Sequence, residues 1–168
     1  MSGKVSQRFA DAQTELVERV SGDWALVTAG TEQDGWNTMT IGWGEAGVLW
    51  SLPTVTVYVH PWRYTHQFML DNDYFTVQLF DNEYKPDLGI LGSKSGRDGD
   101  KVALTRLTPK PIEHGMTFEE ATTTLVCRKI YTHAIDLDAM DAGIRARLGA
   151  FYAEEGHTVF VGELVDVL

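Results

Sequence analysis

The spacing of apolar residues changes period several times along the chain, and each change marks an element. Val5, Phe9, Ala12, Leu16 and Val20 recur at three- and four-residue intervals, which predicts an amphipathic helix over about 4–20 that ends near Ser21-Gly22. The period then falls to two. "WALVTAG" (24–30) reads as a strand, and "TEQDGW" supplies the Asp34-Gly35 pair of a hairpin turn, making "NTMTIGW" (37–43) the return strand. "TVTVYVH" (54–60) sets Val55, Val57 and Val59 on one face, and "YFTVQLF" (74–80) does the same with Phe75, Val77 and Leu79. Between those strands, "PWRYTHQFMLDND" suits a short helix with Pro61 at its first position. Further on, "EYKPDLGILGSKSGRDGDK" reads as a broken helix running into a glycine-rich charged loop. "ATTTLVCRKIYTHAI" (121–135) is a long strand, "DAMDAGIRARLGAFYAEE" a helix and "HTVFVGELVDVL" a closing strand. No repeat, low-complexity tract or linker interrupts the pattern. Strands outnumber helices and most connections are hairpin-like. The expectation is a mainly β single domain over 1–168, its antiparallel sheet closed into a barrel with peripheral helices.

One strand does not fit a simple core-facing pattern. Extended, residues 37–43 point Asn37, Met39, Ile41 and Trp43 to one side and Thr38, Thr40 and Gly42 to the other. Neither set is cleanly apolar. Overlapping its end, "GWGEAG" (42–47) matches G-x-G-x-x-G, a pattern that holds pyrophosphate only when a helix N-terminus comes next. The next residues here are "VLWSLPTVTVYVH", β-branched and alternating, so the dinucleotide reading is set aside. The glycines suit a tight turn or a close approach of backbone.

Composition narrows the function. At 168 residues the chain can bury a core without disulfides or metals. Twenty-four acidic against 14 basic residues give a net charge of −10, which argues against nucleic acid and anionic membranes as partners. An anionic ligand must then be held by a local cluster of cations and backbone N–H groups. Two segments offer one: "HPWRYTH" (60–66), with Arg63 and Thr65 at a helix start, and "SKSGRDGDK" (93–101), with Lys94, Arg97 and Lys101 among glycines and serines. Taken singly, each also suits a solvated turn, and the second lacks the Walker pattern. Cys127 is the single cysteine, so neither an intrachain disulfide nor a thiolate metal cage is available. The histidines show no metal-ligand spacing and no G-x-S-x-G elbow is present. No catalytic side chain and no metal site is therefore expected. The charged opening stretch lacks a secretory h-region, and no run approaches a membrane span, so a cytoplasmic protein is the default expectation. Trp36, Trp43, Trp50, Trp62 and Tyr64 suit either a core or a flat aromatic ligand. A hydrogen-bonding strand, aromatics and an Arg/Thr helix start together fit a planar polar ring with a phosphate tail, and flavin mononucleotide (FMN) is such a molecule.

The segments "NTMTIGWGEAGVLWSLPTVTVYVHPWRYTHQF", "FTVQLFDNEY", "LGSKSGRDGDK", "CRKIY" and "GHTVFVGEL", in that order, resemble the flavin reductase-like FMN-binding split-barrel family, and within it the flavoredoxin-type branch. The resemblance spans roughly residues 20–168. It implies a six-stranded antiparallel split β-barrel that forms a homodimer, with FMN near the subunit interface. Asn37, Thr38, Met39 and Thr40 would line the flavin ring, while Trp43 and the segment after Pro53, including Val55, would shape the pocket wall. Arg63 and Thr65 would address the phosphate, Ser95 and Lys101 would add contacts to the tail, and His157 would sit where a nicotinamide or other electron partner docks. His60 stands where relatives usually carry arginine, which removes one fixed charge from the expected phosphate site. The implied function is an FMN-dependent oxidoreductase using NAD(P)H. Its alternatives are a flavoredoxin-like carrier served by a redox protein, and a non-redox barrel binding another ligand.

Overall fold

The computed structural model describes residues 4–168, and the first three residues of the opening stretch lie outside them. Helix α1 (Gln7–Arg19) starts at Ser6, whose hydroxyl accepts the Phe9 N–H, and presses Ala12 and Leu16 onto the sheet. Among the described residues nine strands come after it: β1 (Ala25–Thr31), β2 (Gly35–Ile41), β3 (Gly44–Leu49), β4 (Leu52–Val59), β5 (Tyr74–Leu79), β6 (Pro109–Ile112), β7 (Gly115–Phe118), β8 (Thr123–Ala134) and β9 (Thr158–Val167). Helices α2 (Tyr64–Asp71), α3 (Lys85–Ser93) and α4 (Ala142–Leu148) sit in the connections. Seven strands form one antiparallel sheet in the order β2-β1-β5-β8-β9-β4-β3, and β6 and β7 form a separate ribbon. The mainly β antiparallel architecture is as expected, with one more strand in the main sheet than the six predicted and the ribbon in addition.

The sheet curls around one core. Val27, Val55, Val57, Val59, Phe75, Val77, Leu125 and Phe160 meet there, with Leu16 of α1 among them. Val55, expected at the pocket wall, is fully buried in this core because the alternation of β4 turns it inward with Val57 and Val59. A second cluster, Leu26, Phe80, Leu88, Leu91, Leu107 and Phe118, seals α3 and the ribbon onto the opposite face of β1. A seam of hydroxyls and an amide is buried beside it. Thr28 Oγ1 donates to Gln78 Oε1 at 3.0 Å, and Gln78 Nε2 and Thr76 Oγ1 both donate to the Met116 carbonyl of β7. These bonds satisfy the buried polar groups of the seam while fixing the ribbon.

Local differences from the sequence reading have identifiable causes. The β1–β2 hairpin forms, but β2 begins at Gly35, whose φ of +90° makes the turn. Pro61 precedes α2 rather than opening it: Arg63 is the N-cap and the Arg63 N–H is tied to the His60 carbonyl in a turn. The helix expected over 138–155 breaks at Gly149, where φ is +53°, leaving short α4 followed by a 3-10 turn. "GWGEAG" leads into edge strand β3, so no helix N-terminus stands behind those glycines. Among the described residues, no helix is long and apolar enough to cross a membrane.

Candidate functional site

Three segments converge beside β2. The strand contributes Asn37 and Met39, the turn before α2 contributes Trp62 to Thr65, and the loop after α3 contributes Ser93 to Arg97 and Lys101. Together they line a cleft of about 200 Å³. Asn37 Nδ2 donates to Thr65 Oγ1 at 2.9 Å, tying strand to helix. The loop packs onto that pair through Gly96: a Cβ there would come within 2.5 Å of Asn37 Oδ1 and 2.9 Å of the Tyr64 ring. Only glycine permits that approach.

The electrostatics are one-sided. Arg63, Lys94, Arg97 and Lys101 line the cleft, and among the described residues no Asp or Glu does. Four cations gathered without counter-charge in a chain of net charge −10 mark a place for an anion. Three of them, Arg63, Arg97 and Lys101, are braced by backbone carbonyls. Arg63 Nη1 donates to the Gly92 carbonyl at 3.0 Å, and Arg97 Nη1 donates to the Trp62 carbonyl at 2.9 Å while its guanidinium lies over the Tyr64 ring. Lys101 is 5% exposed and donates to the carbonyls of Leu91 and Lys94 at the C-terminal end of α3. Burial, with Arg63 nearby, pulls its pKa down to about 8. Ser95 Oγ accepts the Arg97 N–H at 3.2 Å.

A second lobe of about 130 Å³ adjoins the first through Met39 and Arg63. Thr40, Ile41, Gly42 and Trp43 form one side, and Tyr58, Phe151 and His157 the other. Thr40 Oγ1 donates to the Leu88 carbonyl at 2.5 Å, anchoring the strand to α3. An aromatic cluster closes this end. Trp43 lies 5.1 Å from His157, and His60 stacks on Trp62 at 4.0 Å. His157 is buried, and its Nδ1 meets the Tyr152 hydroxyl at 2.7 Å. Desolvation, with His60 and Arg63 close by, lowers the His157 pKa to about 4, so the ring is neutral at neutral pH. His60 does not line the cleft. It is 2% exposed, its Nε2 is 3.3 Å from the Glu155 carbonyl and, among the described residues, its Nδ1 has no partner.

A family model described as the flavin reductase like domain matches residues 17–168. This chain belongs to that family. Solved structures share the family fold. Flavoredoxin from Methanosarcina acetivorans is 21% identical with a TM-score of 0.65, over 86% of this chain and 67% of that one. The FMN-binding protein from Thermus thermophilus is 23% identical with a TM-score of 0.66, over 86% and 68%. A putative flavin reductase from Haemophilus somnus is 14% identical with a TM-score of 0.66, over 98% and 88%. No match is found among curated proteins.

Of the residues singled out in the sequence of this flavin reductase-like chain, Asn37, Met39, Arg63, Thr65, Ser95 and Lys101 line the cationic lobe, and Met39, Thr40, Trp43, Arg63 and His157 the second lobe. Three lie elsewhere. Thr38 faces the buried seam, bonded to Thr28 Oγ1 at 2.8 Å and to the Val27 carbonyl. Its side chain turns away from Asn37 and Met39 because alternate residues of β2 take opposite faces. Val55 is in the core, and Pro53 pairs with Val48 toward the far end of the β3–β4 hairpin. Tyr58, Phe151 and Tyr152 were not singled out. Tyr58 reads in the sequence as one more position of an alternating strand, and the other two fall in the segment read as a helix over 138–155, beyond its break at Gly149.

Proposed function

We propose that this chain binds FMN and acts as an FMN-dependent oxidoreductase with NAD(P)H as electron donor. The observation that carries the reading is the uncompensated cluster of Arg63, Lys94, Arg97 and Lys101, set beside a strand edge and an aromatic-walled lobe. When bound, FMN would supply hydride and electron-transfer chemistry that no side chain here offers. Arg63 and Arg97 suit a phosphate through their planar forks, Lys94 and Lys101 as point charges, and the hydroxyls of Thr65, Ser93 and Ser95 as donors. Asn37, already fixed by Thr65, holds its amide at the junction of strand and helix. Residues Thr40 to Trp43 would border the flavin ring, with Trp43 excluding water from it. Neutral His157, held by Tyr152, places a hydrogen-bonding ring at that border without adding a charge.

The second lobe is too small to enclose a three-ring system, so a ring seated there keeps one face open to a donor or to another chain. A homodimer belongs to this proposal. Val48, Leu49, Trp50 and Tyr131 supply an exposed apolar face for it, Trp50 and Tyr131 lying 6.2 Å apart. The test is anaerobic mixing of the FMN-loaded protein with NADH or NADPH. Rapid bleaching of the flavin band supports the reductase. A second reading, a carrier that exchanges electrons with a protein, is favoured by the −10 charge, which suits a cationic partner; a bound flavin that stays oxidised in the same experiment selects it.

A further inference from the structure

Beside the second lobe the surface opens into a larger groove of about 510 Å³. Val17 of α1 and Val20 at its C-cap form one wall, and Ile135, Met140 and Leu148 of the β8–β9 connection form the other. Gly42, Trp43 and Tyr58 line both the groove and the lobe, so the two meet along a shared wall. Val17 is 54% and Trp43 47% exposed, apolar surface left facing water at the groove.

The charge pattern here is opposite to that of the cleft. Among the described residues no Lys, Arg or His lines the groove, and the one acidic side chain is exposed Glu45. Burial, together with the nearby Glu45 carboxylate, pushes the Tyr58 pKa up to about 12, so its hydroxyl stays protonated. An anion entering the groove meets Glu45 with no compensating cation in the lining. The volume lies in the range of about 300–1,000 Å³ typical of small-molecule sites, and apolar walls with few polar groups are their usual lining.

We propose that this groove binds a neutral or cationic, flat, apolar organic molecule of two or three fused rings. Its role as the co-substrate that exchanges electrons with the flavin rests on the function proposed above; its occupancy does not. The groove offers the phosphates of NAD(P)H a carboxylate and no cation, so the nucleotide approaches by a different side. The two redox partners are thereby separated by charge rather than by shape.

The test is calorimetric titration of the protein, flavin-free and FMN-loaded, with menadione as the neutral probe and anthraquinone-2-sulfonate as the anionic one. Menadione is expected to saturate at one per chain and to bind at least about tenfold more tightly than the sulfonate. Leu148→Lys and, separately, Met140→Lys are expected to weaken menadione by roughly tenfold or more while leaving FMN affinity unchanged. Both side chains are half-buried at the groove wall, and circular dichroism checks that each variant folds. Glu45→Lys is expected to raise affinity for the sulfonate by a similar factor. Menadione binding that is absent, or that survives both lysine variants, overturns the proposal, as does a sulfonate affinity indifferent to Glu45→Lys. Loss of dimer on sedimentation of Leu148→Lys, with no menadione binding by the parent, identifies a second copy as the occupant and also overturns it. Failure of FMN to bind while menadione shows the expected pattern removes the flavin reading and leaves this site standing.

Discussion

Lys101 holds two positions at once: it caps the C-terminal end of α3 through the Leu91 and Lys94 carbonyls, and it faces the cationic lobe. Its pKa of about 8 means that the free protein loses this charge as pH rises through the mildly alkaline range. A phosphate dianion favours the charged form, so FMN affinity is expected to fall between pH 7 and 9, with proton uptake on binding at the upper end. Calorimetry in buffers of different ionisation enthalpy reads both, and Lys101→Arg, which stays charged, is expected to flatten the profile. An equal decline in that variant would assign the effect elsewhere. Arg63→Ala removes a charged donor and is expected to weaken FMN by about 10- to 100-fold, the range for a charge-assisted hydrogen bond; equilibrium dialysis gives the ratio, and an unchanged affinity counts against a phosphate at this lobe. These residues were legible in the sequence because cations in short polar loops stand out in an acidic chain. Thr38 and Val55 stand in the buried seam and the core, as the period of two along β2 and β4 dictates, and Pro53 pairs near the hairpin end; for these three the family resemblance pointed to the pocket and the local alternation did not.

The β3–β4 hairpin shows what an element's sequence can hide. Its two-residue turn places Trp50 at φ +52° and Ser51 at φ +63°, the left-handed region that costs most side chains about 1 kcal/mol or more. Asn-Gly would have announced such a turn, whereas Trp-Ser does not, and β3 itself is a glycine-containing edge strand with no apolar alternation. Ser51→Gly is expected to stabilise the protein by roughly 0.5–1 kcal/mol, read as a higher urea midpoint at unchanged m-value; a lower midpoint would show that the serine is held by something else. The long strands β4, β5, β8 and β9 were legible because burial imposed a period of two, or a continuous apolar run, on them. The β6–β7 ribbon was not, since Pro109 and Pro111 lie on its outer strand and its hold on the sheet runs through the Met116 carbonyl. His157 belongs to the segment entering β9. Its pKa near 4 lies below the ordinary value of 6.5, so the unfolded chain binds more protons between those limits and stability falls as pH drops through that window. His157→Asn is expected to lose less stability than the parent between pH 6.5 and 4.5 by urea titration; an identical slope would place the acid sensitivity in other groups.

Taken whole, the molecule combines a strong net negative charge with a local cluster of four cations lining the cleft. Beyond a Debye length of about 8 Å at physiological salt the net charge repels an anion, and inside it the cluster attracts. The association rate of FMN is therefore expected to rise as salt increases from about 0.01 to 0.15 M, which stopped-flow fluorescence would show; a fall would mean that the cluster already dominates at long range. The antiparallel barrel class was readable from alternating strands and hairpin turns, but the packing of the cleft was not, because Gly96, Asn37 and Tyr64 meet only through the tertiary fold. The most direct measurement is a parallel titration of the purified protein with FMN and with riboflavin, which differ only by the phosphate, followed by the visible flavin band. Saturable FMN binding at least about 100-fold tighter than riboflavin, equivalent to some 2.7 kcal/mol, is the expected result. Equal affinity for the two, or no binding of either, would contradict a flavin phosphate held by Arg63, Lys94, Arg97 and Lys101.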